Sequence, residues 1–254
     1  VAVSPLLKNQ QVFMLYVAAA KSVVRSNPHS FKSFLDYEVG CKAVVLELSR
    51  NPESRLGMLK INTEAGELCR EGLFSADFRP IEIDYDIGSE VTSQVISLKG
   101  KRLTALVNAG LEGDIERMII ALNRYSWHPV LGMNEDAFSP ALRRRYPEFS
   151  GRIFLFGMKE PKREMVAAVE EFLAPEEFTS TTAVGLPYLH VKQLLRAAAR
   201  CPWRDSACYS AELRNAPAEP DFGFHGFADR VARNEVLIKR FEQGELLVHR
   251  EIQP

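Results

Sequence analysis

Ala43-Val-Val-Leu-Glu-Leu48, Asn51-Pro-Glu-Ser54 and Leu56-Gly-Met-Leu-Lys-Ile61 follow one another closely along the chain. Two short apolar runs separated by Asn, Pro and Ser read as strand, turn and strand. Beyond them Ile81-Glu-Ile-Asp-Tyr85 alternates, as do Val91 to Leu98 and Leu103 to Val107, joined by Lys99-Gly100-Lys101. Five strands with short turns predict a meander, mostly antiparallel. That reading sets the expected fold class as α+β: a strand-rich, largely antiparallel N-terminal half and a mixed α/β C-terminal half.

Toward the N-terminus, Ser4-Pro5 reads as an N-cap and first helical position. Leu7, Val12, Leu15, Ala19 and Val23 then recur near helical spacing to about Ser26, where Asn27-Pro28 stops the helix. Toward the C-terminus, Gly113-Asp114 opens a helix to about Arg124, with Ile115, Met118, Ile119 and Leu122 on one face. Ser139-Pro140 starts a short helix, and Arg152-Ile-Phe-Leu-Phe156 is a compact apolar strand. Glu160-Pro161 opens a helix with Met165, Val166, Val169 and Phe172 inward. Phe178-Thr-Ser-Thr-Thr182 has strong β propensity, and a helix spans about Pro187 to Arg200. Asn215 to Gly226, with two prolines and two glycines, reads as a long loop. A boundary near residue 110 separates 1–110, a helix plus the antiparallel meander, from 111–254, a mixed α/β region carrying the candidate site. The sequence leaves open whether these form one continuous domain.

The 254 residues carry a formal charge of -1 and are 46% hydrophobic, ample for a real core. Near-zero charge gives no global pull toward nucleic acid or an anionic membrane. Cys41, Cys69, Cys201 and Cys208 are scattered, with no CxxC pair and no metal spacing, so reduced thiols and no metal are expected, although Cys201 and Cys208 are near enough to bridge. The apolar run Val12 to Ala20 is too short to span about 30 Å of hydrocarbon and lacks the basic flank of a signal peptide. A soluble protein without membrane insertion is expected, cytoplasmic or secreted without a visible signal peptide.

The densest group of candidate site residues is His225, Asp229, Arg230, Arg233, Asn234 and Glu235. It leads into Val236-Leu237-Ile238 and Leu246-Leu247-Val248, a hairpin-like pair around Glu242-Gln243-Gly244. A carboxylate at the head of a buried strand can aim an acid at a cleft. Together with Phe178 to Thr182, this run resembles ADP-ribosyltransferases of the bacterial-toxin type. That family carries an aromatic-x-Ser-Thr-Ser strand and, later, a catalytic Glu leading into an apolar strand. The resemblance implies a transferase that uses NAD to modify a macromolecular target. Glu235 would be catalytic, stabilising the cationic sugar as nicotinamide leaves. Ser180, Thr181 and His225 would bind the cofactor. The arginine that grips NAD is left open among Arg79, Arg124 and Arg152.

A second pattern is the row Lys192, Arg196 and Arg200, four residues apart and so on one helix face. It suits a phosphate-bearing ligand and supports a rival reading: a non-catalytic adaptor that recognises a protein or a phosphate-rich partner. In both readings the expected partner is a macromolecule, a protein rather than a nucleic acid.

Overall fold

Strand and helix alternate along most of the chain. The structure, a computed structural model, describes residues 12–159, 161 and 181–253. In order, the first elements are β1 (Met14–Tyr16), α1 (Ser22–Ser26), β2 (Ser30–Lys32), α2 (Tyr37–Leu48), β3 (Leu56–Ile61), α3 (Glu64–Ser75) and β4 (Ile81–Tyr85). Next come α4 (Thr92–Gly100), β5 (Ala105–Asn108), α5 (Glu112–Arg124), β6 (Val130–Asn134), α6 (Pro140–Arg145) and β7 (Ile153–Met158). The last are α7 (Thr181–Ala198), α8 (Ser206–Arg214), β8 (Phe224–Ala228), β9 (Val231–Asn234), β10 (Val236–Glu242) and β11 (Glu245–Ile252). They fall into two units. The first holds Val1–Leu35, Met158–Glu235 and Gln253–Pro254; the second holds Asp36–Gly157 and Val236–Ile252.

The second unit is built on a seven-stranded sheet in the order β11-β10-β7-β6-β5-β3-β4. From β4 to β7 every pairing is parallel, and β10–β11 is an antiparallel hairpin. Parallel neighbours need a crossover, and α3, α4 and α5 supply it. The central strands are buried along nearly their whole length, which is why they read as continuous apolar runs rather than alternating ones. Leu59, Ile119, Leu131, Leu155 and Phe241 meet in one core.

Two of the five expected strands are helices. Ala43 to Leu48 is the second half of α2. Gly40, Cys41, Ala43, Val44, Val45 and Leu48 are buried, and of the outward positions Val39, Lys42 and Leu46 two are apolar, so the helical period is poorly marked. Val91 to Leu98 runs into α4; Val91, Val95 and Leu98 are buried at i, i+4 and i+7, while Ile96 is exposed. With helices between them, the remaining strands cannot be joined by hairpins. The expected antiparallel meander is therefore corrected to a parallel, doubly wound sheet. The chain is mixed α/β, and the expectation holds only at that coarse level. Residue 110 lies inside the second unit, between β5 and α5. In the predicted strand around Phe154, Ile153, Leu155 and Phe156 are buried. Phe154 itself is partly exposed, edge-on to His249.

Helices α2 and α3 pack backbone to backbone. A Cβ on Gly72 would stand 2.2 Å from the Glu38 carbonyl oxygen. Cys41–Cys69 joins the same two helices, and Cys201–Cys208 is a second disulfide. The expected reduced thiols are thereby corrected.

The first unit has a four-stranded sheet, β1-β2-β9-β8. β1–β2 and β2–β9 are parallel; β8–β9 is an antiparallel hairpin. Its two-residue turn, Asp229-Arg230, has φ of 46° and 68°, the sign at both positions that matches strand twist. Phe31, Ala197 and Leu213 form one small core, and Leu189, Phe222, Phe224 and Ala232 another. β1 and α1 replace the late part of the single N-terminal helix expected to Ser26; Ser4, Pro5 and Leu7 lie outside the described residues. So does the helix expected to bury Met165, Val166, Val169 and Phe172.

Candidate functional site

The hairpin β8–β9 brings two of the expected residues together. Gly223, with φ of 61°, ends a 3-10 turn over Pro220–Phe222 and begins β8. An added Cβ there would lie 2.9 Å from Lys159 Cβ and 3.0 Å from Glu235 Cβ. Only a residue without a side chain lets those two stems cross the backbone so closely. The Glu235 amide donates to the Gly223 carbonyl at 2.7 Å. The register then slips from Phe224↔Asn234 to Phe227↔Ala232, leaving one extra residue in β8. Such a bulge re-aims a side chain. Here His225 Nε2 meets Glu235 Oε1 at 3.0 Å.

Glu235 is buried, and its second oxygen faces Lys159 Nζ at 3.0 Å. Burial pushes its carboxyl up, but hydrogen bonds from Lys159 and His225 outweigh this and hold it below the usual carboxylate range. Glu235 is thus an anion at neutral pH, held by the side chains of Lys159, His225 and Gln253. Lys159 also borders an apolar cleft lined by Met158, Pro161, Gly185, Leu186, Leu189 and Phe222. The sequence reading missed Lys159, because nothing at that position marks it until the hairpin folds against it.

The other expected residues do not join this cluster as a nicotinamide pocket. Thr181 is the first residue of α7, not part of a strand, and Ser180 lies outside the described residues. The basic row lies on α7, but Lys192 is paired with Glu219 at 2.8 Å and Arg200 with Glu212 at 3.0 Å. Arg196 is half-buried. Two of the three charges are therefore neutralised within the chain, and the row is no open phosphate clamp.

In the second unit a different candidate lies at the carboxyl ends of the parallel strands. Doubly wound sheets place ligands there, where the strand order reverses, and in this sheet that point is between β3 and β5. After β3, Thr63 caps α3 by accepting from the Gly66 amide. After β5, the Asn108 Oδ1 accepts from Tyr85 Oη at 3.1 Å and from the Gly110 amide at 2.5 Å. A Cβ on Gly110 would be 2.2 Å from Tyr85 Oη. At the end of β6, Asn134 Nδ2 donates to Tyr37 Oη at 2.6 Å, and burial pushes both tyrosine hydroxyls far up. These groups are neutral hydrogen-bonding side chains, fixed by one another. Groups of this kind can hydrogen-bond a ligand but are poor nucleophiles. The signal in the sequence was an Asn closing an apolar run, at Asn108 and again at Asn134. Among the described residues no group of three or more His, Cys, Asp or Glu is arranged to hold a metal, and no helix is long and apolar enough to cross a membrane.

No protein-family model and no curated protein matches the chain. Solved structures do. A leucine-binding protein LivK from Thermotoga maritima has a TM-score of 0.83 at 13% identity, covering 100% of this chain and 76% of that one. LivJ, the branched-chain amino acid transporter substrate-binding protein of Streptococcus pneumoniae, in complex with isoleucine, gives 0.80 at 13%, covering 100% and 76%. An ABC transporter solute-binding protein of R. palustris in complex with 4-hydroxybenzoate gives 0.78 at 14%, covering 99% and 74%. These likenesses overturn the ADP-ribosyltransferase resemblance and, with it, NAD and a macromolecular target. They give no support to the adaptor reading, its protein or phosphate-rich partner, or a cytoplasmic setting. The fold of this chain is that of solute-binding proteins.

Proposed function

We propose that this chain binds a small organic solute, of the amino-acid or aromatic-acid class, without converting it, and passes it to an ABC transporter. The likeness of the whole chain, at a TM-score of 0.83, to a leucine-binding protein carries the reading. Two further observations support it. The reversal point between β3 and β5 presents neutral, mutually fixed side chains, suited to holding a ligand and poor in nucleophile–base pairs. Two disulfides fit a compartment more oxidising than the cytosol, so the secreted setting is preferred.

The test is direct. Purified chain is titrated calorimetrically and melted with L-leucine, L-isoleucine, benzoate and 4-hydroxybenzoate. A true ligand at about 100 times its Kd raises stability by roughly 2.7 kcal/mol. At least one of the four is expected to bind and to raise the melting temperature. No heat and no shift with any of them would overturn the reading.

A further inference from the structure

We propose that Lys159 and His225, held in place by the buried carboxylate of Glu235, receive the carboxylate of the solute, whose apolar or aromatic body lies over Pro161, Leu186, Leu189 and Phe222. This rests on the solute-binding reading and adds the residues that read the ligand's acid group.

The Glu235 side chain is 5% exposed, whereas Lys159 is 33% and His225 29% exposed. The acid is sealed in and its two partners face outward. An ammonium has three donors; Lys159 Nζ is ion-paired with Glu235 Oε2 at 3.0 Å and keeps donors for a ligand. His225 uses Nε2 on Glu235, which leaves Nδ1 turned away. The negative charge of the cluster is sealed in, and its cation, Lys159, faces outward. A monoanion completes it. Below the charges the cleft is apolar: Met158, Pro161, Leu186, Leu189 and Phe222 line it. Phe222 is stacked on Tyr188, with ring centroids 5.6 Å apart and planes 16° from parallel, so its ring is fixed. Gly185 leaves room on the same wall, its missing Cβ falling 3.1 Å from Pro161. One charged end and one apolar floor describe an organic acid, not a sugar or a polyphosphate.

Calorimetry with matched pairs tests the assignment: benzoate against benzamide, and L-leucine against L-leucinamide, on wild type, Lys159→Met and His225→Gln. A hydrogen bond to a charged group is strong enough that losing one weakens binding on the order of tenfold or more. Wild type is expected to prefer at least one acid over its amide by about that factor. Lys159→Met should erase the preference, and His225→Gln should reduce it. If Lys159→Met does not melt cooperatively, Lys159→Gln is measured in its place. A Lys159 variant that binds the acid with the wild-type preference over the amide overturns the inference and leaves the solute-binding reading standing. Wild type that binds an amide as well as its acid does the same. Wild type that binds none of these four, nor L-isoleucine nor 4-hydroxybenzoate, removes both.

Discussion

Each unit buries a glutamate beside a lysine, and the two pairs behave differently. In the second unit Lys239 Nζ meets Glu135 Oε1 at 2.8 Å, with side-chain exposures of 1% and 10%. The glutamate is pressed against Gly157, where an added Cβ would fall 2.0 Å from Oε2. That pair is closed on all sides. In the first unit Glu235 is equally deep, but Lys159 is a third exposed and borders a cleft. Equal chemistry at unequal depth gives a structural pair in one place and an exchangeable one in the other. Removing one member of a closed pair strands a charge in a poor solvent; removing an open cation leaves water to replace it.

The largest expected effect breaks the closed pair. Lys239→Met should cost about 3–5 kcal/mol, measured by chemical denaturation, because Glu135 is left buried without its cation. Replacing both, as Lys239→Met with Glu135→Leu, should recover most of the loss. If the single variant costs less than about 1 kcal/mol, Glu135 has enough other support and the contrast between the pairs collapses.

The disulfides sharpen the comparison next. Cys41–Cys69 closes a separation of 28 residues in the second unit, and Cys201–Cys208 one of 7 in the first. Loop-closure entropy then gives about 3.5 kcal/mol for the former and about 2.5 kcal/mol for the latter. Cys41→Ala with Cys69→Ala should therefore lower the denaturation midpoint more than Cys201→Ala with Cys208→Ala. The reverse order would mean that strain or residual structure, not loop length, decides.

Acid should weaken the first unit. Burial of His190 pushes its imidazole down to about 4. A histidine depressed in the folded state takes up its proton more readily when unfolded. Its contribution is complete above the ordinary value of about 6.5 and is lost as pH falls toward 4. The full shift corresponds to roughly 3 kcal/mol, and partial access to water reduces it to about 1–2 kcal/mol. Glu235 adds to the same trend at lower pH, since its lowered value stabilises the fold above the ordinary carboxylate range and that contribution fades on acidification. His190→Gln should flatten the stability profile between pH 6.5 and 4. An unchanged profile would show that His190 titrates as freely folded as unfolded.

Smallest is the open pair. Lys159→Met should change stability by at most about 1 kcal/mol, because the ammonium is well exposed and His225 still faces the acid. A loss as large as that of Lys239→Met would make the two pairs alike and remove the case for an exchangeable cation.

Much of the second unit was legible. Leu56 to Ile61, Ile81 to Tyr85 and the run to Val107 are strands, Glu112 to Arg124 is a helix with its apolar stripe inward, and Val236 to Val248 folds as a hairpin. Each carries its own period or turn chemistry, which local sterics impose before any partner arrives. His225 and Glu235 were also picked out together, but for a cofactor that the fold does not support. Lys159 was missed, as were Asn108 and Asn134, because their meaning depends on which strand ends lie side by side.

What the sequence determined by itself is where apolar runs begin and end, and which of them repeat every two or every 3.6 residues. What only the tertiary structure decided is the identity of runs buried on every side and the order in which strands pair. Ala43 to Leu48 lost its helical signature because the residue it turns to water, Leu46, is as apolar as those it buries. The order of pairing left no trace because ladder hydrogen bonds are made by backbone groups that every residue shares. The site followed the pairing: a bulge at His225 and a glycine at 223 set Lys159, Glu235 and His225 within hydrogen-bonding distance, though 76 residues of sequence separate the first from the second.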